Sequence, residues 1–184
     1  WKEAPPEDVR DQANEALEFI RGIVNKRKLQ VKEVGIKENK EVLPGGASYD
    51  IGMQTVLYHG TVHPSLIVHE LGHHLQFNVP KLNEEAAKWA NKVTKGGKLQ
   101  PGDSVDCGGE KWYYRERTDG RKWLDTYMGR LYLKEPPKDL DEPVHEFRFM
   151  HEIVSVGVEY LYMQPDMVAR RDPALFDLLL RLLR

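Results

Sequence analysis

The sequence contains a single cysteine, Cys107, among 184 residues, so no disulfide can form within the chain. It has no apolar run long enough to cross a membrane. Its 27 Lys and Arg residues are scattered among 29 Asp and Glu residues, and no basic block with interleaved aromatic residues is present. These absences argue against a disulfide scaffold, a membrane-spanning segment and a nucleic-acid partner.

The size and composition of the chain are those of one domain. A hydrophobic content of 40% allows a single substantial core, and we expect residues 1–184 to form one folded unit. The first residue is Trp rather than Met and no secretory signal is visible, so we expect a piece of a longer or processed protein with flanking domains. The compartment is undetermined, because a single cysteine is compatible with the cytoplasm and with secretion.

The most informative feature present is the segment His69-Glu70-Leu71-Gly72-His73, which lies in a stretch with helical periodicity. Two histidines four positions apart on a helix are separated by about 40° around its axis, so both imidazoles can reach one metal ion. Glu70 stands beside them, where its carboxylate can take a proton from a water molecule. This combination is typical of a hydrolytic zinc site.

The surroundings of this motif favour a helix with one buried side. The apolar side chains of the segment form a stripe nearly opposite the two histidines, made of Ile67, Leu71 and Leu75. His74 projects about 140° away from His69, which predicts a packing role for His74 rather than metal binding. The preceding residues, Thr55–Tyr58, are β-branched and aromatic and predict a strand.

A third metal ligand is expected from elsewhere, since hydrolytic zinc sites commonly have three protein ligands. A histidine-based extension of the motif needs glycine at position 76 and histidine at 79, where the chain has Gln76 and Val79. A second helix, predicted from Pro143 to Tyr162, carries candidates at seven-residue spacing on one face. The spacing alone leaves three of them open: His145, Glu152 and Glu159.

Three further segments resemble zincin metallopeptidases in which a downstream glutamate is the third ligand, the gluzincin type. Glu152-Ile153-Val154-Ser155 matches the E-x-x-S piece of thermolysin-like enzymes. Positions 125–132, 152–162 and 171–176 resemble the zincin domains of phage head-morphogenesis proteins and bacterial toxin-like proteins. The resemblance covers roughly positions 50 to 184 and implies an α+β zincin-like fold, with a small twisted sheet packed on several helices. It also implies that Zn²⁺ is held by three side chains: His69, His73 and Glu152.

One position departs from that pattern. Thermolysin-like enzymes carry an aspartate four residues after the ligand glutamate, and it orients a metal-bound histidine. This chain has Val156 there. The pattern therefore does not supply the residue that orients the histidine.

The resemblance implies a zinc-dependent endopeptidase that hydrolyses a protein or peptide substrate, with Glu70 as the general base. An oxyanion formed in the reaction needs a further donor. A fainter likeness to the catalytic domain of anthrax lethal factor places His145 near where a catalytic tyrosine would lie. The candidates for the donor are Tyr127, Tyr132 and His145.

Two other functions compete with a general endopeptidase. The first is a structural or assembly module, such as a domain of a virion protein, that keeps the zincin fold without turnover. Glu70 argues against it, because a structural site needs no base. The second is a toxin-like effector, cytoplasmic or secreted, that cleaves only one protein.

Elsewhere the sequence predicts ordinary elements. We expect a helix from Pro5 to Asn25, a strand over Leu29–Ile36, a helix from Asn83 to Lys95, a loop or lid over Gly96–Gly109 and a strand over Lys111–Arg115.

Two elements are of functional interest. Zincins, by resemblance, bind extended substrates along an edge strand, and Thr55–Tyr58 is our candidate for that edge. A final helix from about Pro173 is rich in leucine, so it either packs deeply in the core or binds a protein partner.

Overall fold

The computed structural model describes residues 1–25, 32–105, 111–132 and 151–184, with the backbone alone for 103–105. The chain has an α+β architecture, and these residues form six α-helices and two three-stranded sheets. Cys107 and His145 lie outside the described residues, as does most of the first half of the helix predicted from Pro143. Within the described ranges no helix is long and apolar enough to span a membrane.

The helices largely follow the sequence pattern. A short 3₁₀ helix precedes the first α-helix, and Pro is the first residue of four of the six α-helices, where its missing N–H costs no hydrogen bond. The six α-helices are α1 Arg10–Ile23, α2 Pro64–Asn78, α3 Pro80–Val93, α4 Ile153–Met163, α5 Pro165–Arg171 and α6 Pro173–Leu183. The sequence did not predict α5.

The first sheet comprises β1 (Gly35–Glu38), β2 (Ala47–Asp50) and β3 (Thr55–Tyr58) in the order β1-β3-β2. The strand β3 pairs with β1 in parallel and with β2 antiparallel. The prediction that Thr55–Tyr58 forms an edge strand is therefore wrong. Both of its edges are already hydrogen-bonded, because β2 returns antiparallel through a tight turn on one side and β1 adds on the other.

The second sheet comprises β4 (Leu99–Val105), β5 (Lys111–Arg115) and β6 (Arg130–Leu131), all antiparallel. The strand predicted at Lys111 is confirmed, but the loop predicted over Gly96–Gly109 is wrong for Leu99–Val105. Gly102 explains part of the difference, since a Cβ at this position would lie 2.1 Å from Trp112 Cε2. The glycine there allows the two strands to pack closely and does not mark a loop.

Helix α2 runs through the core. The predicted apolar stripe is confirmed, and Ile67, Leu71 and Leu75 are buried. The packing role of His74 is confirmed as well. Its Nε2 lies 2.8 Å from the Lys32 carbonyl and its Nδ1 lies 2.8 Å from the Tyr49 hydroxyl, and burial lowers its pKa. His74 therefore ties α2 to the first sheet.

The C-terminal helix α6 packs into the same core. Four of its leucines are buried: Leu175, Leu178, Leu179 and Leu183. Its first turn is fixed by Asp172, which accepts a hydrogen bond from the Leu175 N–H and pairs with Arg117. The Arg117 guanidinium lies 5.2 Å from the ring centroids of both Trp89 and Trp123. Of the two predicted roles of this helix, packing in the core is confirmed. Binding of a protein partner stays a prediction.

Helices α2 and α4 pack closely against each other at Gly72. A Cβ at this position would lie 2.6 Å from the Ser155 Cα and 2.9 Å from Val158 Cγ2, both in α4. Atoms of that size cannot come so close, so a larger residue at position 72 forces the two helices apart. The glycine inside the H-E-x-x-H segment thus sets the spacing of the helix pair.

We expect Gly72→Ala to lower the free energy of unfolding by about 1–3 kcal/mol, as overpacking of a closed interior does. The matched control is Gly22→Ala in α1, where an added Cβ meets no atom within 4 Å and helix propensity favours alanine. Urea denaturation of the two variants measures the difference. Equal stability of the two variants would contradict the tight crossing.

Candidate metal centre

The side chains of His69, His73 and Glu152 meet between α2 and the start of α4. Each offers one ligand atom, and the three atoms lie within 4.8 Å of one another. Glu152 Oε2 is 3.3 Å from His69 Nε2 and 3.2 Å from His73 Nε2. A single carboxylate oxygen therefore contacts both imidazoles, and the group can hold a metal ion.

The spacing and the chemistry of these donors fit zinc. A tetrahedral site with bonds of about 2.1 Å places neighbouring ligand atoms about 3.4 Å apart. The two distances from Glu152 to the imidazoles are close to this value. Two imidazole nitrogens and one carboxylate oxygen also belong to the ligand types that zinc takes in proteins.

The charge balance of the group also favours a cation. Burial opposes ionisation of Glu152, which is fully buried, but the adjacent His73 and His69 hold its pKa well below the usual range. Burial likewise opposes a charge on His69, yet hydrogen bonds with Glu152 and Glu159 raise its pKa to about 10. The carboxylates of Glu152 and Glu159 therefore raise the pKa of His69 more than burial lowers it. A positive charge between these carboxylates is stabilised.

Glu152 lies at the N-cap of α4, outside the helix proper, which begins at Ile153. The prediction of a continuous helix through this residue is therefore wrong. The preceding His151 explains the break, because the Gln76 amide lies 3.0 Å from both its Nδ1 and its carbonyl oxygen. His151 Nε2 lies 3.2 Å from the Asn83 carbonyl, and burial lowers the pKa of the ring to about 4. This neutral, buried histidine anchors the ligand residue to α2 and α3.

Both carboxylate oxygens of Glu152 accept further hydrogen bonds. The Ser155 hydroxyl donates to Oε2 at 2.7 Å, which gives the serine of the E-x-x-S segment a structural role. The Tyr132 hydroxyl donates to Oε1. Donors on both oxygens fix the rotation of the carboxylate and compensate for its burial.

Glu159 supplies the partner of the histidine ring for which the sequence pattern gave no residue. Its Oε2 is 3.0 Å from His69 Nδ1, while His69 Nε2 faces Glu152. Glu159 therefore contacts the opposite side of the imidazole from the ligand group and holds the ring in place. It takes the part that thermolysin-like enzymes give to an aspartate at the position of Val156, which is buried here. The shared helical face of Glu152 and Glu159 was visible in the sequence, but it indicated competing ligands.

Glu70 lies beside the histidines on α2 and is buried. Burial raises the pKa of its carboxyl group, and the neighbouring His69 and His73 oppose that shift. Among the described residues no side chain donates a hydrogen bond to this carboxylate. Glu70 is thus placed to accept a proton, and its raised pKa makes it a better acceptor.

Two of the three predicted donors for an oxyanion lie near this group. The Tyr127 ring centroid is 6.5 Å from that of His69, and the Tyr132 hydroxyl contacts Glu152. The third, His145, lies outside the described residues. Sequence reasoning missed Arg130, whose Nη1 donates to the Tyr127 hydroxyl at 2.8 Å. Its cationic side chain gave no periodic signal that would separate it from surface arginines.

Comparison of the chain with models of known protein families, with curated proteins and with solved structures gives no significant match. The structure itself shows an α+β chain with a His/His/Glu group near enough to bind a metal. A function for this chain therefore has to be argued from the chemistry of these side chains.

We expect Glu159→Ala to weaken zinc binding by about 10- to 100-fold, because His69 loses the partner that orients its ring. Competition with a chromophoric chelator measures the zinc affinity. Glu85→Ala is the control, since Glu85 pairs with Lys88 on the surface of α3. An unchanged affinity in Glu159→Ala would show that the ring is held without Glu159.

Proposed function

We propose that this chain is a zinc-dependent endopeptidase of the glutamate-ligand zincin type. The observation that carries the proposal is Glu70, a buried residue of α2 whose carboxylate has no donor among the described side chains and lies beside the group formed by His69, His73 and Glu152. A site that only stabilises a fold has no need of an additional carboxylate that is not a ligand. A hydrolytic site needs such a group as a base.

Zinc is the proposed metal because two histidines and one carboxylate are a common protein ligand set of hydrolytic zinc sites. His69, His73 and Glu152 would hold the ion. When bound, zinc acidifies a water molecule and polarises the carbonyl group of the scissile peptide bond. The site in this chain supplies three protein ligands, as catalytic zinc sites do.

Glu70 performs the proton transfers of the proposed reaction. Its carboxylate accepts a proton from the attacking water as the C–O bond forms. It then delivers that proton to the peptide nitrogen as the C–N bond breaks, so the products are a carboxylate and an amine. Burial, which raises the pKa of Glu70, favours the first of these transfers.

The proposed substrate is a protein or peptide segment in an extended conformation. Since β3 is central, we place the substrate at the outer edge of β2 instead, which has no strand partner among the described residues. Tyr49 of β2 stacks on Phe77 of α2 with ring centroids 6.1 Å apart, so this edge is held against the helix that carries the histidines. An open edge binds peptide backbone with little dependence on side chains.

We expect zinc-loaded protein to cleave a diverse peptide library, and Glu70→Gln to lose at least about 100-fold of that activity, since it lacks the base. Mass spectrometry of the products measures cleavage, and chelator competition checks that Glu70→Gln binds zinc as tightly as the wild type. Glu84→Gln, an exposed position in α3, is the matched control.

Three outcomes separate the competing functions. Equal cleavage by wild type and Glu70→Gln would contradict the proposed mechanism. A zinc-loaded wild type that cleaves no peptide would favour a structural or assembly module. Cleavage confined to one folded protein in a mixture would instead identify an effector with a single substrate.

A further inference from the structure

Three side chains outside the ligand group form a connected set that ends at Glu152. The Arg130 Nη1 lies 2.8 Å from the Tyr127 hydroxyl. The Tyr132 hydroxyl donates to Glu152 Oε1, and the Arg130 guanidinium lies over the rings of both tyrosines. We call Arg130, Tyr127 and Tyr132 the donor chain.

The direction of each hydrogen bond in the donor chain follows from what its two ends can do. A guanidinium only donates, so the Tyr127 oxygen accepts from Arg130. An ionised carboxylate only accepts, so the single proton of Tyr132 goes to Glu152. The cation therefore donates to one tyrosine hydroxyl, and the other tyrosine hydroxyl donates to the carboxylate.

The rest of the structure holds the donor chain in place. The Arg130 guanidinium carbon lies 4.5 Å from the ring centroid of Tyr132 and 5.2 Å from that of Tyr127, within the range of cation–π attraction. The Trp112 ring packs edge-on against Tyr127 with centroids 5.4 Å apart. Gly129 allows close contact with Trp123, because a Cβ there would lie 2.4 Å from the indole nitrogen. Packed side chains thus fix the position of both hydroxyl groups.

We propose that the donor chain positions the Glu152 carboxylate so that Oε1 is occupied by Tyr132 and only Oε2 is left for the metal. This inference rests on the metal binding in the proposed function and is independent of hydrolysis. A carboxylate held by one oxygen leaves a coordination position open, which a hydrolytic site requires. Arg130, Tyr127 and Tyr132 are positioning residues in this arrangement, since they act through Glu152.

The test compares metal binding by the wild type, Tyr132→Phe and Tyr127→Phe. We expect Tyr132→Phe to lose about 10- to 100-fold in zinc affinity, because the Glu152 carboxylate loses the donor that fixes its rotation. Tyr127→Phe removes the acceptor of Arg130, whose guanidinium lies over the Tyr132 ring, so a smaller loss in the same direction is expected. The control is Tyr162→Phe, which removes the same kind of hydroxyl-to-carboxylate bond at Glu15, outside the ligand group.

A second measurement separates positioning from a general structural effect. In Tyr132→Phe the free Oε1 can join the metal, so the visible absorption bands of the cobalt-loaded protein should weaken as the coordination number rises. The substitution removes one oxygen from a residue that is 40% exposed, and circular dichroism verifies the fold.

The outcomes distinguish this inference from the proposed function. A folded Tyr132→Phe variant with zinc affinity within about twofold of the wild type and an unchanged cobalt spectrum overturns the inference, given that such contacts normally contribute at least tenfold. If that variant also loses cleavage, Tyr132 acts in the transition state, as the sequence predicted. A wild type that binds neither zinc nor cobalt overturns the inference and the proposed function together.

Discussion

The close crossing of α2 and α4 at Gly72 is the constraint on which the metal centre depends. Because position 72 has no side chain, the backbone of α4 at Ser155 lies directly against α2. Glu152, at the start of α4, then reaches His69 and His73 with one oxygen. On the same side of α4, two turns along, Glu159 reaches the other nitrogen of His69. This contact between two helices therefore brings the carboxylates of Glu152 and Glu159 to the two nitrogens of the His69 imidazole.

That geometry places several charged side chains in a buried part of the protein. Glu70 and Glu152 are buried near His69 and His73, and the partly exposed Glu159 contacts His69. Buried ionic groups seldom add net stability, since the cost of desolvation offsets their attraction. The stability of the fold must come from elsewhere, and the apolar core formed around α2 and α6 provides it. A bound cation would add to that stability in proportion to its affinity for the folded state.

The sequence predicted what local periodicity determines. The apolar stripe of α2, the histidine pair and the start of α6 at Pro173 follow from spacing and from proline at the first turn. Contacts between distant segments were not predictable in this way. The contact of Glu159 with His69, and the break at His151, depend on side chains of α2 and on a backbone carbonyl of α3. The central position of β3 depends on pairing with both neighbours, which no single strand encodes.

Glu152 joins two parts of the structure that the sequence keeps apart. Its Oε2 contacts three side chains of the helix pair: His69, His73 and Ser155. Its Oε1 accepts a hydrogen bond from the hydroxyl of Tyr132, which directly follows β6 of the second sheet. A shift of the second sheet relative to α2 must therefore change the hydrogen bonding of a candidate metal ligand. A rigid carboxylate requires both parts to be packed at once, and the segment from Trp123 to Tyr132 contributes three aromatic side chains and one closely packed glycine, Gly129, to that packing.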